Sequence, residues 1–522
     1  MKRTIVIIIR DGWGINPNSS YNAVANAHTP HIDSFLKRYP STILEAAGTA
    51  VGLPPGYQGS SEVGHLNMGA GRIVKQEITR INEAIEDTSF FSSSCFQSAI
   101  NNCTSNNSAL HLMGLIQDAG VHAHQDHLFA IMKYAKGRGV DKIYLHFFSD
   151  GRDTAPRSAL EFLGVVNEKI AEYQAGEIAT LMGRYYAMDR GKNWHLTSQA
   201  YNTLTKGEGI KVSSAEEAVR RAYNEDRTPD GGQMTDEYIP PSIIGTFSGI
   251  KDGDSVIHFN YRQDRAIQLA MAFVEDEYPG ARWKKLDIVY CGLTRYYDTF
   301  PGYMMEPISE GVGMANILGE VLSEKGLRQL RIAETQKFRH VTSFFNGKRI
   351  EPFPNEEQIE IKSMYDPALF ADHPEMNAFD VTEEVIRRIE SEGYHLIVLN
   401  YANCDMVGHT GDFEAAKRAV EVVDECVGAV VKTILAHDGV ALVTADHGNV
   451  EEMRDYQTGL PKTSHTNNPV EFIYVAEDYR EIKLRPRGIL SDIAPTVLFL
   501  LGIDKPQEMT SENLVRAICR AE

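Results

Sequence analysis

The sequence predicts an α/β protein of more than one domain, and three observations carry that expectation. Continuous apolar runs such as Thr4 to Ile9 and Leu396 to Asn400 read as strands buried on both faces, the habit of a parallel sheet covered by helices. Helical stretches alternate with such runs, and the alternation starts afresh from about Asn101. The chain has 522 residues, too many for one compact core.

Composition is that of an ordinary soluble protein, with 43% hydrophobic and 24% charged residues. A net charge of −19 argues against nucleic acid or an anionic membrane as partner. An anionic substrate would then need a local cluster of Arg and Lys. The six cysteines, Cys95, Cys103, Cys291, Cys404, Cys426 and Cys519, form no CxxC pair and read as free thiols of a reducing compartment. The apolar start is too short for a signal peptide and meets Arg10 and Asp11 at once, so a cytoplasmic protein is expected. No apolar run approaches the ~20 residues of a membrane span.

Taken in order, Thr4 to Ile9 is a strand that ends at Asp11-Gly12-Trp13-Gly14, with Asp11 at the carboxyl end where such sheets hold ligands. A helix is expected over Asn22 to Tyr39. The stretch Gly59 to Arg72, with few bulky apolar residues, places Ser61 just before a helix start, where N–H groups and the dipole favour a phosphate. Ser60 or Ser61 as a plain N-cap is the simpler account of the same residues. Ile73 to Asp87 has helical spacing at Ile78, Ile81 and Ile85.

In the second alternation, strands are expected at Ala109 to Ile116, Lys142 to Phe148, Glu177 to Met182 and Asp254 to Phe259, with helices at Asp126 to Lys136 and Ala159 to Tyr173. Several of these strands run into arginines: Arg152, Arg184, Arg190, Arg262 and Arg265. The guanidinium fork suits phosphate and carboxylate, whereas a lone arginine is ordinarily a solvated surface charge. Asp153, beside Arg152, is either a general base or half of a structural ion pair. Pro301-Gly302 and Gly311-Val312-Gly313 mark an exit from this part.

The third part places strands at Gln329 to Ala333, Leu396 to Asn400, Val440 to Thr444 and Glu471 to Val475. Its helices are expected at Val381 to Glu392, Glu414 to Leu435 and Ser491 to Leu501, with Asp380 and Glu383 at capping-box spacing. Asp405 and His409 follow one strand, Asp446 and His447 another, and His465 lies in a later loop. With Asp11 these make three aspartates and three histidines, most of them just past buried strands. Carboxylate and imidazole without thiolate suit Mn²⁺, Zn²⁺ or Fe²⁺, and the ligands suffice for two ions roughly 3.5–4 Å apart.

The motifs DGWG, GSSEVGHLNMGAGR, GVHAH, DGRD, GRYYAMDR, NYRQDRAIQ, RIAETQKFRHVT, NYANCDMVGHTG, TADHGN and HTNNPV occur in this order. The chain thereby resembles, over nearly its whole length, the cofactor-independent (2,3-bisphosphoglycerate-independent) phosphoglycerate mutases of the alkaline-phosphatase-like superfamily. The resemblance implies a metal-binding phosphatase-like α/β domain in two segments, 1–75 and 312–522, with a second α/β substrate-binding domain, 76–311, inserted in it. It implies interconversion of 3- and 2-phosphoglycerate through a phosphoserine on Ser61, with Asp153 moving protons. One Mn²⁺ would be held by Asp405, His409 and His465, the other by Asp11, Asp446, His447 and Ser61. His122, Arg152, Asp153, Arg184, Arg190, Arg262, Arg265 and Lys337 would contact the substrate, which would bridge the two domains and favour closure. No 2,3-bisphosphoglycerate would be needed, and the resemblance suggests a monomer. Two departures stand out: Ser60 replaces the family's usual Asn, and residues 362–376 differ from the usual run. The competing expectations are another phosphatase or a phosphopentomutase of the superfamily, or a non-catalytic metal-binding protein with a dispensable Ser61.

Overall fold

The computed structural model describes residues 3–306, 314–391 and 393–518. The chain forms two compact units, one from Met1–Gln76 with Gly311–Glu522 and the other from Glu77–Glu310. The Gly311 to Gly313 exit, Glu392 and Cys519 lie outside the described residues. The other five cysteines are free thiols. Among the described residues, no helix is long and apolar enough to cross a membrane.

The first unit is built on an eight-stranded sheet in the order Glu356–Ile361, Gln329–Glu334, Leu396–Tyr401, Ile5–Arg10, Val440–Thr444, Val470–Val475, Ser41–Glu45 and Arg487–Ile489. Val470–Val475 alone runs against the others. Ile5–Arg10 lies at its middle and every residue of it is buried, as its unbroken apolar run predicts. Arg10 ends the strand fully buried, its Nε donating to the Thr444 carbonyl at 3.3 Å and its Nη2 facing Glu471 at 3.2 Å. Helix Phe413–Ala436 packs on Ala378–Ser391 and on Pro30–Arg38.

The second unit has its own eight-stranded sheet: Tyr303–Met305, Val289–Thr294, Ser255–His258, Leu110–Leu115, Ile143–Ser149, Glu177–Gly183, Ser242–Ile244 and Ile210–Val212. Its first six strands are parallel and the last two run the other way.

Several local expectations need correction. The helix expected over Asn22 to Tyr39 is two, Ala23–Asn26 and Pro30–Arg38. Pro30 cannot continue a helix, and it pushes Thr29 out of the helical region. The helix expected from Ile73 begins only at Glu77, because Gln76 donates its N–H to the Gly52 carbonyl at 2.8 Å and holds the preceding residues in a loop. Asp380 does not cap its helix. That helix starts at Ala378, and Asp380 sits in the first turn, accepting from Asn377 Nδ2 at 2.8 Å. The last helix begins at Ile493 after a tight turn over Leu490–Asp492. Glu356–Ile361, a half-exposed edge strand, was hidden by its charges.

Candidate metal centre and anion cluster

Strands Leu396–Tyr401, Ile5–Arg10 and Val440–Thr444 are neighbours in the sheet and parallel. Their carboxyl ends therefore lie side by side, and just past them come Asp405, Asp11 and the pair Asp446-His447. Close backbone approach tightens this: Gly12 has φ +77°, and a Cβ there would meet the Asp405 backbone at 2.8 Å.

Two groups of ligand atoms form. Those of Asp405, His409 and His465 lie within 4.8 Å of one another, as do those of Asp11, Asp446 and His447. Asp405 Oδ1 is 3.2 Å from His409 Nε2 and 3.1 Å from His465 Nε2. His447 Nε2 is 3.4 Å from Asp11 Oδ1 and 3.7 Å from Asp446 Oδ2. The three imidazoles share one orientation. Each Nδ1 faces a carbonyl, Thr463 for His409 at 2.7 Å, Gly59 for His465 at 2.8 Å and Gly448 for His447 at 3.2 Å. A carbonyl only accepts, so Nδ1 carries a proton and Nε2 is the atom turned to the carboxylates, where an entering ion would take it, the usual preparation of a metal ligand. Asp446 Oδ2 is buried and without a hydrogen bond. Unpaired carboxylate oxygen, oriented imidazole and no thiolate fit two divalent cations.

Ser61 joins this centre. It is the first residue of helix Ser61–Ala70, which Ser60 caps by accepting from the Val63 N–H at 3.4 Å. Ser60 is thus the N-cap, and Ser61, buried in the fold, stands in the first turn at the positive end of the dipole. Ser61 Oγ donates to Asp11 Oδ1 at 3.1 Å and lies 2.9 Å from His447 Nε2. Lys337 Nζ donates to Ser61 Oγ at 2.6 Å, to Asp405 Oδ2 at 2.6 Å and to Asp11 Oδ1 at 2.8 Å.

Electrostatics in the ion-free centre are strongly perturbed. Burial disfavours charge on Asp446, yet His447, His65 and Lys337 hold its carboxyl well below the usual range. Burial likewise works against a charged His447, but Asp446, Asp11 and Asp405 push it up to about 10. His465 is lowered by burial and by His447.

In the second unit, the adjacent strands Ser255–His258, Leu110–Leu115, Ile143–Ser149 and Glu177–Gly183 deliver the other expected residues from their carboxyl ends. Arg184 is buried and bridges Asp150 Oδ1 and Asp153 Oδ2, each at 2.6 Å. Asp264 gathers Arg190 at 2.6 Å, Arg262 at 3.3 Å and His122 at 3.6 Å. His122 Nε2 stands 3.8 Å from Asp153 Oδ2, and Arg152 pairs with Glu237 at 3.3 Å. Arg265 donates to the Met188 carbonyl at 3.1 Å. Its guanidinium is disfavoured by burial and by Arg184, Arg190 and Arg152. Burial, then Arg184 and Arg262, push His122 down to about 3. Crowded guanidinium groups beside a neutral imidazole make a site that an anion relieves.

All the residues expected from the sequence fall in one of these two places, Lys337 with the metal ligands. Sequence reasoning did not single out His65, Asn400, Asn449, Asp150 or Asp264. Each lies inside a quoted motif or at a strand end, and position alone was the signal that could have found them.

A central sheet with two pockets of carboxylate and imidazole at its strand ends, and a serine on a helix start between their ligands, is the layout of a two-metal hydrolase or transferase. In keeping with that, residues 3–505 match the Metalloenzyme superfamily. The chain is 46% identical over 519 residues to a 2,3-bisphosphoglycerate-independent phosphoglycerate mutase of Clostridium novyi, covering 99% of this chain and 100% of that protein. It is 46% identical over 517 residues to that of Clostridium acetobutylicum, covering 98% and 99%. A solved phosphoglycerate mutase of Leishmania mexicana, crystallised at low cobalt concentration, superposes with a TM-score of 0.76 at 31% identity over 99% of this chain and 98% of its own. The chain belongs to the 2,3-bisphosphoglycerate-independent phosphoglycerate mutases.

Proposed function

We propose that this enzyme interconverts 3- and 2-phosphoglycerate by passing the phosphoryl group through Ser61, with Mn²⁺ in both pockets. Asp405, His409 and His465 would hold one ion, and Asp11, Asp446, His447 and Ser61 the other. Bound divalent ions would lower the serine pKa and offset the charge of the transferring group. The observation that carries the reading is the position of Ser61 Oγ, 2.6 Å from Lys337 Nζ and 2.9 Å from His447 Nε2 at a helix N-terminus.

The chain's own residues supply the rest. Ser61 Oγ attacks the phosphoryl group, and the helix N–H groups with Lys337 stabilise charge on its oxygens as they pass to the serine. His122, Arg152, Arg184, Arg190, Arg262 and Arg265 bind the carboxylate and hydroxyls of the glycerate while it turns. Asp153 takes a proton from the hydroxyl that attacks the phosphoserine and returns one to the oxygen that leaves. Arg184 and His122, at 2.6 Å and 3.8 Å from Asp153, set its position. Keeping water from the phosphoserine separates a mutase from a phosphatase. We further propose that the protein acts as a monomer in the cytoplasm.

The test is a coupled mutase assay with and without 2,3-bisphosphoglycerate. Wild type is expected to turn over equally in both. Ser61→Ala should lose on the order of 10⁴-fold or more in kcat while keeping most of its metal. Release of inorganic phosphate in place of isomerised product would replace this reading with a phosphatase.

A further inference from the structure

Helix Ser61–Ala70 brings a second side chain to the metal centre, and none of the roles above uses it. His65 lies one turn after Ser61 and is fully buried. Its Nδ1 is 2.8 Å from the Ser61 carbonyl oxygen and 3.3 Å from Asp446 Oδ2. Its Nε2 is 3.1 Å from Asn400 Nδ2, and that amide also donates to Asp11 Oδ2 at 2.7 Å.

These partners decide the tautomer. A carbonyl and a carboxylate accept only, so Nδ1 carries the proton. The amide nitrogen of Asn400 donates only, so Nε2 is the accepting nitrogen. One imidazole therefore stands against both carboxylates of a single pocket: its Nδ1–H bonds the Ser61 carbonyl and passes 3.3 Å from Asp446 Oδ2, which has no hydrogen bond of its own, and Asn400 links its Nε2 to Asp11. The other Asp446 oxygen, Oδ1, is held by the N–H groups of Gly12 at 3.4 Å and His447 at 3.1 Å. Oδ2, facing His65, is the oxygen whose direction the backbone leaves unset.

The other pocket takes its orientation elsewhere. Asp405 Oδ1 accepts from Asn449 Nδ2 at 3.2 Å, and His409 and His465 lean on the carbonyls of Thr463 and Gly59. His65 makes none of these contacts.

The geometry points to His65 as the positioning residue of the Asp11–Asp446–His447 pocket alone, orienting Asp446 Oδ2 and, through Asn400, Asp11 Oδ2 toward one divalent cation. The inference rests on the two-metal reading proposed above. Because Nδ1 also holds the Ser61 carbonyl, the same ring ties this pocket to the first turn of the helix that carries the nucleophile.

The experiment measures Mn²⁺ binding to the full chain by equilibrium dialysis, and Mn–Mn coupling by electron paramagnetic resonance. Wild type is expected to bind two ions. His65→Ala should keep one with unchanged affinity, bind the other 10–100-fold more weakly, and lose the coupled signal. His65→Asn retains a donor near the Nδ1 position and should recover most of the second affinity. Asn400→Ala removes only the Asp11 branch and should weaken the same ion by a smaller factor, which keeps the test open if His65→Ala does not fold. Two ions at wild-type affinity in His65→Ala, or equal loss of both, would overturn the assignment. Asp446→Asn separates the two levels: if it costs no ion, the metal reading itself fails; if it costs one while His65→Ala costs none, only the role of His65 fails.

Discussion

His447 shows how far a neighbourhood can move one residue. Burial works against its charged form, but three carboxylates hold the ion-free imidazole protonated up to about 10. The sequence alone, with an unperturbed histidine near ~6.5, predicts metal loss and falling activity below that value. The structure moves the coupling upward. A metal ligand must be neutral, so an ion entering this pocket at pH 7 to 9 displaces a proton. Affinity for that ion should therefore keep rising with pH through this range, with proton release visible when Mn²⁺ is titrated in buffers of different ionisation enthalpy. The sign for the ion-free protein is opposite. A raised pKa contributes stability that is complete below ~6.5 and is lost as pH climbs toward about 10, so ion-free protein should melt lower at pH 9.5 than at 6.5. Uptake without proton release would contradict this. Such residues were legible as candidate ligands because they follow buried strands. Asp264 and Asp150 were not, because an aspartate among arginines in a sequence looks like any surface ion pair until the fold shows two guanidinium groups and an imidazole meeting at Asp264.

At the scale of elements, the helix Ser61–Ala70 is held by contacts that leave no room. A Cβ at Gly64 would stand 2.7 Å from the Asp446 carbonyl oxygen and 2.9 Å from the Asp446 Cβ. Alanine in a helix interior gains about 0.5–1 kcal/mol over glycine, while overpacking against fixed backbone costs about 1–3 kcal/mol. The clash wins, so Gly64→Ala should lower stability by about 1–2 kcal/mol in denaturant melts and weaken Mn²⁺ binding through displaced Asp446. A stabilised variant with intact metal affinity would show that the helix can shift. In the second unit, burial pushes His127 and His258 down to about 3. Lowered pKa values give stability that is full above ~6.5 and is lost as pH falls from there toward 3. Amide protection in the helix Gln125–Gly137 and the strand Ser255–His258, corrected for the intrinsic exchange rate, should fall steeply over that interval, and a flat profile would contradict it. Strand positions were readable because both sheets bury their central strands. Helix ends were less so: Pro30 breaks one helix and a clamp on Gly52 delays another, and neither depends on apolar spacing.

The whole molecule sets a net charge of −19 against a substrate with both a phosphate and a carboxylate. Long-range steering is thus unfavourable, and on the proposed mechanism recognition would fall to groups at short range: the arginines past the strands of one sheet, and the candidate metal pockets and helix start past the strands of the other. Both sheets place their chemistry by the same rule, at the carboxyl ends of adjacent parallel strands. That rule made most of the candidate residues visible in the sequence, since a buried run followed by Asp, His or Arg marks the place. It could not pair the residues, because strand order is set by packing and by crossovers between distant segments, as where Asn400 meets Asp11 and His65.

The proposed mechanism passes phosphate through Ser61. Protein loaded with Mn²⁺, mixed with isotopically labelled 3-phosphoglycerate, quenched in acid within a turnover and digested, should carry label on the peptide containing Ser61, and the label should chase into 2-phosphoglycerate. Labelled product formed with no phosphate on Ser61, or with phosphate on another residue, would contradict it.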